Sequence, residues 1–139
     1  ISQISGGSRT SVGGYATPEP KEENSAQFDI SDTRTLDEVV NWLLDMGHIP
    51  SFCTACYRAG RTGDRFMSLV KSGQIANCCA PNALMTLKEY LEDYASADTR
   101  AKGEVLIQKE LKHIPNPKIK EIAARNLKEI IEGKRDFRF

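Results

Sequence analysis

Two cysteines three positions apart, Cys53 and Cys56, and a third, Cys79, after 22 intervening residues set the tightest constraint on how this chain folds. In Cys53-Thr-Ala-Cys56 the two intervening residues let the backbone turn so that both sulfurs reach one metal centre. A third thiol that far along the chain has to arrive from a separate turn. All four cysteines, Cys78 included, lie within 27 residues, in a sequence with no secretory leader pattern. That clustering argues against a disulfide scaffold and for a metal or redox site in a reducing, cytoplasmic compartment.

Spacing alone leaves the metal open. A structural zinc site closes a tetrahedron and needs a fourth ligand, for which Cys78, His48 and His113 are the candidates. An iron–sulfur cubane held by three thiolates leaves one iron open. On spacing the two stand level. A thioredoxin-like dithiol fits less well, because such CxxC motifs open a helix in a βαβ setting that this region lacks. Unligated buried cysteines are the plainest alternative. Arg58, Arg61 and Arg65 stand at i, i+3 and i+7, so on one continuous helix they would share a face that offsets the negative charge of thiolates and cluster. An ordinary solvated basic face explains the same spacing.

The rest of the sequence reads as helix and turn after a loop-rich start. Residues 1–25 are rich in Gly, Ser, Thr and Pro and read as a short strand, Ile1 to Ile4, followed by a long loop. Leu36, Val39, Val40, Leu43 and Leu44 at helical spacing, with a Thr35/Glu38 capping box, predict a helix that Gly47 stops. After an extended piece from His48 to Phe52, the positions Phe66, Leu69 and Val70 predict a short helix over 63–72, ending at Gly73. A turn over Asn77 to Pro81 leads to a helix capped by Asn82, with Leu84, Leu87, Leu91 and Tyr94 as its stripe. Thr99 to His113 continues helical with the face Val105, Leu106 and Leu111, although Gly103 costs about 1 kcal/mol relative to Ala. The last helix takes Asn116 as cap, Pro117 at its first position and Ile119, Ile122, Ala123, Leu127, Ile130 and Ile131 on one side.

Lys plus Arg and Asp plus Glu both number 19, so the overall charge gives no reason to expect nucleic acid or an anionic membrane as partner. Lys134 to Arg138 is locally basic and reads as a solvated tail. No stretch approaches the roughly 18–20 apolar residues that span a bilayer. With Ile1 and ISQISGG at its start, the chain is expected to be a soluble piece of a larger protein.

The runs FCTACYRAGRTGDRFM (Phe52 to Met67), KSGQI (Lys71 to Ile75), CAPNAL (Cys79 to Leu84) and LKEYLEDYA (Leu87 to Ala95) resemble the C-terminal part of the HydG family of [FeFe]-hydrogenase maturases, which are radical S-adenosylmethionine tyrosine lyases. The resemblance runs essentially the whole length, including the upstream ISGGSRTSVGGY. It implies a mainly α chain. Residues 1–52 would be the last strand, active-site loop and last helix of a (β/α)8 radical S-adenosylmethionine barrel, and 53–139 a helical auxiliary [4Fe-4S] domain. The boundary follows from the related tyrosine lyase of thiamine biosynthesis, which resembles this chain only up to about Phe52.

The same resemblance assigns Cys53, Cys56 and Cys79 to the auxiliary cluster, with an additional iron, bound by a cysteine amino acid, on its open site. A barrel outside this chain would carry the CxxxCxxC motif, a second [4Fe-4S] cluster and S-adenosyl-L-methionine. There L-tyrosine would be cleaved to p-cresol and a fragment that becomes carbon monoxide and cyanide for the hydrogenase, in concert with other maturation proteins. Lacking that motif, the chain is not expected to be active alone. Ser8, Arg9 and Thr10 would lie at the C-terminal end of a barrel strand, where such enzymes bind substrates, and Arg9 suits a two-pronged grip on the carboxylate of tyrosine or S-adenosylmethionine; an exposed loop arginine is the plain alternative. Cys78 is left as a packing or bystander thiol, and His48 and His113 as ordinary surface or packing residues. The rival readings are a noncatalytic, zinc-stabilised helical module that docks on a partner through apolar helix faces, and a metal-free helical domain.

Overall fold

The computed structural model describes Ile4, Gly6, Gly7 and residues 34–139. Among them there is no strand, and the chain is mainly α. Six α-helices follow in order: α1 (Leu36–Asp45), α2 (Ala55–Arg58), α3 (Gly63–Lys71), α4 (Cys79–Asp93), α5 (Ala97–Leu111) and α6 (Pro117–Ile131), with a 3-10 turn at Gln74–Ala76 between α3 and α4. Of the expected strand, Ile1 to Gln3 lie outside the described residues, and Ile4 is exposed and in no regular element. Gly6 and Gly7 lie close against α1. A β-carbon on Gly7 would come within 3.1 Å of the Leu36 backbone nitrogen, and its φ of +65° is one that glycine adopts freely.

Local chemistry sets the helix ends. Thr35 Oγ1 accepts from the Glu38 backbone N–H at 3.3 Å while the Glu38 carboxylate accepts from the Thr35 N–H at 2.6 Å, closing the expected capping box. Ser96 caps α5 by accepting from the Thr99 N–H, and Asn116 caps α6 by accepting from Lys118 and Ile119, with Pro117 at the first helical position.

Helix α4 is central and packs on both α5 and α6, while α1 packs on α5. Leu84, Met85, Leu87 and Leu91 from α4 meet Leu106 and Ile107 from α5, Ala123, Leu127 and Ile130 from α6, and Val40 and Leu44 from α1. Residues on both sides of Phe52 therefore share one core. At Gly103 α5 lies tightly against α4: a β-carbon there would collide with both δ-methyls of Leu91. The propensity lost at this glycine is the condition of that contact.

Several expected faces are turned. Tyr94 and Val105 are exposed, and Tyr90 and Ile107 take the inward positions. Asn82 does not cap α4, because the helix begins three residues earlier, at Cys79; Asn82 is buried inside its first turns. The terminal segment is not a solvated tail. Arg135 grips Asp93 and donates to the Ile130 carbonyl at 2.7 Å, the Asp136 N–H donates to Glu89 at 2.8 Å, and Phe137 and Phe139 pack against the core. Of the basic side chains here, Arg135 fastens the tail to α4, Lys134 pairs with Glu129 on α6, and Arg138 pairs with Asp136 within the tail.

No helix is long and apolar enough to cross a membrane among the described residues. Polar side chains fasten α1 to α4 and α5. Asp37 accepts from Tyr90 at 3.2 Å, from the Ser96 N–H at 3.3 Å and from Thr99 at 3.0 Å. Buried Lys88 pairs with Glu92 and with Glu104, so its charge is not left alone in the interior.

Candidate metal centre

Two short segments supply the sulfurs. Cys53 ends the loop after α1, and its sulfur accepts from the Ala55 N–H at 3.4 Å as the chain enters the single turn of α2, which carries Cys56. The α3 helix then leads away and Gly73, with φ +75°, turns the chain back through the 3-10 turn to the start of α4. Cys78 is the residue before that helix and Cys79 its first residue, with their sulfurs 3.8 Å apart.

All four cysteines line one cavity of about 760 Å³, together with Arg61, Phe66, Ile75 and Asn82. The distant third thiol is thus brought back to the first pair, as the spacing requires. The sulfurs also feel one another. Burial pushes the Cys79 thiol up to about 12, and the closeness of Cys78, the hydrogen bond between the two, and the nearby Cys56 and Cys53 push in the same direction. A bound cation relieves each of these effects, since it makes thiolate the favoured form.

Among the described residues, no three His, Cys, Asp or Glu side chains converge on a point that would hold one metal ion. The four cysteines line a volume in the range of small-molecule and cofactor pockets. A cluster distributes its thiolates over several irons and a zinc ion gathers four ligands at one point; the cavity has room for either. His48 and His113 do not line the cavity; both are exposed, and His113 lies 3.4 Å from Glu110.

The three arginines do not share one helical face, because the chain leaves helix after Arg58 and re-enters it only at Gly63. Arg58 pairs with Asp136. Arg61 lines the cavity and donates to the Phe139 carbonyl at 3.2 Å, while Arg65 is exposed on α3. Asn82, which also lines the cavity, accepts from the Phe139 N–H at 2.9 Å. Sequence reasoning weighed Cys78 only as a fourth zinc ligand or a bystander thiol, and missed Asn82 as a cavity residue. Adjacency to Cys79 and the i+3 position along α4 were the available signals. Ser8, Arg9 and Thr10 lie outside the described residues.

A solved structure of HydG, a maturase of the [FeFe]-hydrogenase, matches this chain with 49% identity and a TM-score of 0.88, over 100% of this chain. This chain is homologous to part of HydG. It spans 29% of the HydG chain. No protein-family model matches it, and no curated protein does. The likeness to HydG thus covers every residue of the chain, the cysteine-bearing segments included.

Proposed function

We propose that this chain is the auxiliary-cluster part of a radical S-adenosylmethionine tyrosine lyase serving [FeFe]-hydrogenase maturation, in which Cys53, Cys56 and Cys79 hold a [4Fe-4S] cluster with one iron left open. The observation that carries the proposal is the gathering of these cysteines on one cofactor-sized cavity, in a chain homologous over its whole length to part of HydG. When bound, such a cluster supplies an iron with a free coordination position, able to take an additional iron with its cysteine ligand and the carbon monoxide and cyanide derived from tyrosine.

The chain's own residues supply the setting. Phe66 and Ile75 give the cavity apolar walls, which limit water around the thiolates. Arg61 brings positive charge to its lining, opposing the negative charge of thiolates and cluster. No side chain is needed for acid–base work here, since the bond-making chemistry belongs to the cofactor.

In this proposal residues 1–52 complete the barrel and 53–139 form the cluster domain. Ser8, Arg9 and Thr10 contact tyrosine or S-adenosylmethionine, and the radical-generating cluster lies in the remainder of the enzyme. Anaerobic reconstitution with iron and sulfide, followed by elemental analysis, tests the core of it: about four irons per chain are expected for one cubane. Stoichiometric zinc without sulfide, retained through the same treatment, would favour the zinc-stabilised interaction module instead.

A further inference from the structure

Cys78 has no place in a three-cysteine cluster site, yet it is not remote from one. It lines the same cavity as Cys53, Cys56 and Cys79, and its sulfur lies 3.8 Å from that of Cys79, within hydrogen-bonding distance for two sulfurs. Its backbone, at φ −127° and ψ −53°, stands just outside the helix that begins with Cys79, so the two neighbours sit where the chain turns into α4. Of the other polar side chains on the cavity, Arg61 and Asn82 are engaged by Phe139.

We propose that the Cys78 thiol donates an S–H hydrogen bond to the Cys79 sulfur when that sulfur is a cluster ligand, and thereby raises the cluster's reduction potential. The inference rests on the cluster reading above and adds a fourth residue to it, as a positioning group and not as a ligand. The physical ground is electrostatic. Reduction adds negative charge to the cluster and its thiolates, and a donor dipole aimed at a ligand sulfur stabilises the reduced form more than the oxidised one. Cys79 as a ligand carries no proton, so the direction of the bond is set: Cys78 donates and Cys79 accepts. A free thiol is a weak donor, which makes substitution by a stronger one informative.

The test is a redox titration of the reconstituted chain, followed by the paramagnetic signal of the reduced cluster, in the wild type, Cys78→Ala and Cys78→Ser. Iron and sulfide are counted in each. Cys78→Ala is expected to keep its full iron and sulfide and to titrate at a lower potential than wild type. Cys78→Ser, whose hydroxyl restores a donor, is expected to recover the wild-type potential or exceed it. Equal potentials in all three at full loading would overturn the proposal. So would loss of iron in Cys78→Ala to the level of Cys79→Ala, because Cys78 would then be a ligand. A wild-type chain that takes up no iron and sulfide fails the cluster reading itself, and the two failures are therefore distinguishable.

Discussion

The Asn82 side-chain oxygen accepts a hydrogen bond from the backbone N–H of Phe139 at 2.9 Å, tying the end of the described chain to the helix that Cys79 begins. Arg61, five residues past Cys56, holds the carbonyl of the same Phe139. One terminal residue thus links both cysteine-bearing segments. Asn82→Ala leaves a partly buried N–H without its partner, which costs roughly 1–3 kcal/mol. Urea unfolding of the chain should register a loss in that range, and an unchanged midpoint would show that the tail is not fastened there.

Arg61 and Arg65 should behave differently, although the sequence offers them alike. Arg61 lines the cavity, whereas Arg65 is exposed outside it. Removing a side chain that supports a metal site typically weakens metal retention by about tenfold or more. Iron release to a chelator should therefore quicken by roughly that factor in Arg61→Ala and stay at the wild-type rate in Arg65→Ala. Equal rates in the two variants would remove Arg61 from the site.

Gly103→Ala should destabilise the chain although alanine is the better helix former by about 1 kcal/mol. The added methyl meets the buried Leu91 side chain, and overpacking of this kind costs typically about 1–3 kcal/mol. Leu91→Ala makes room for it. In a double-mutant cycle the two substitutions together should cost less than their sum, and simple additivity would count against the contact.

Asp37 and Tyr90 should give the fold two pH limits. Burial raises the Asp37 carboxyl, but hydrogen bonds from Ser96, Thr99 and Tyr90 outweigh it and hold the group below its usual range. A carboxyl depressed in the folded state contributes stability above its unfolded pKa of about 3.9, and that contribution is lost as pH falls through the lower folded value. Burial, then the Asp37 charge and hydrogen bond, push the Tyr90 hydroxyl up to about 12. Its contribution is full below about 10 and lost as pH rises from there to the folded value. Unfolding midpoints measured across pH should fall at both ends, with Asp37→Asn flattening the acid limb and Tyr90→Phe the alkaline one.

What the sequence made legible was what local chemistry determines. The Thr35 capping box, the Asn116–Pro117 start and the stops at Gly47 and Gly73 involve residues a few positions apart, and each lies where the pattern set it. Which face of a helix turns inward is decided by its neighbours. Val105 and Ile107 are both apolar, and only the packing of α5 against its neighbouring helices buries the second and exposes the first. Gly103 reads as a defect until Leu91 is placed against it. The docking of the tail was equally hidden, because Arg135 and Asp93 are 42 residues apart and nothing local pairs them. At the site, the cysteine spacing told that the thiols must meet, but not that Cys78 and Asn82 would line the same cavity with them; that needed the fold of α4.

The most direct test of the account is the iron and sulfide content of the reconstituted chain, compared across Cys53→Ala, Cys56→Ala, Cys79→Ala and His48→Ala/His113→Ala. About four irons and four sulfides are expected in the wild type and in the double histidine variant, and loss of stable loading in each of the three cysteine variants. Full loading in Cys79→Ala, or a single zinc ion lost only when the histidines are replaced, would contradict it.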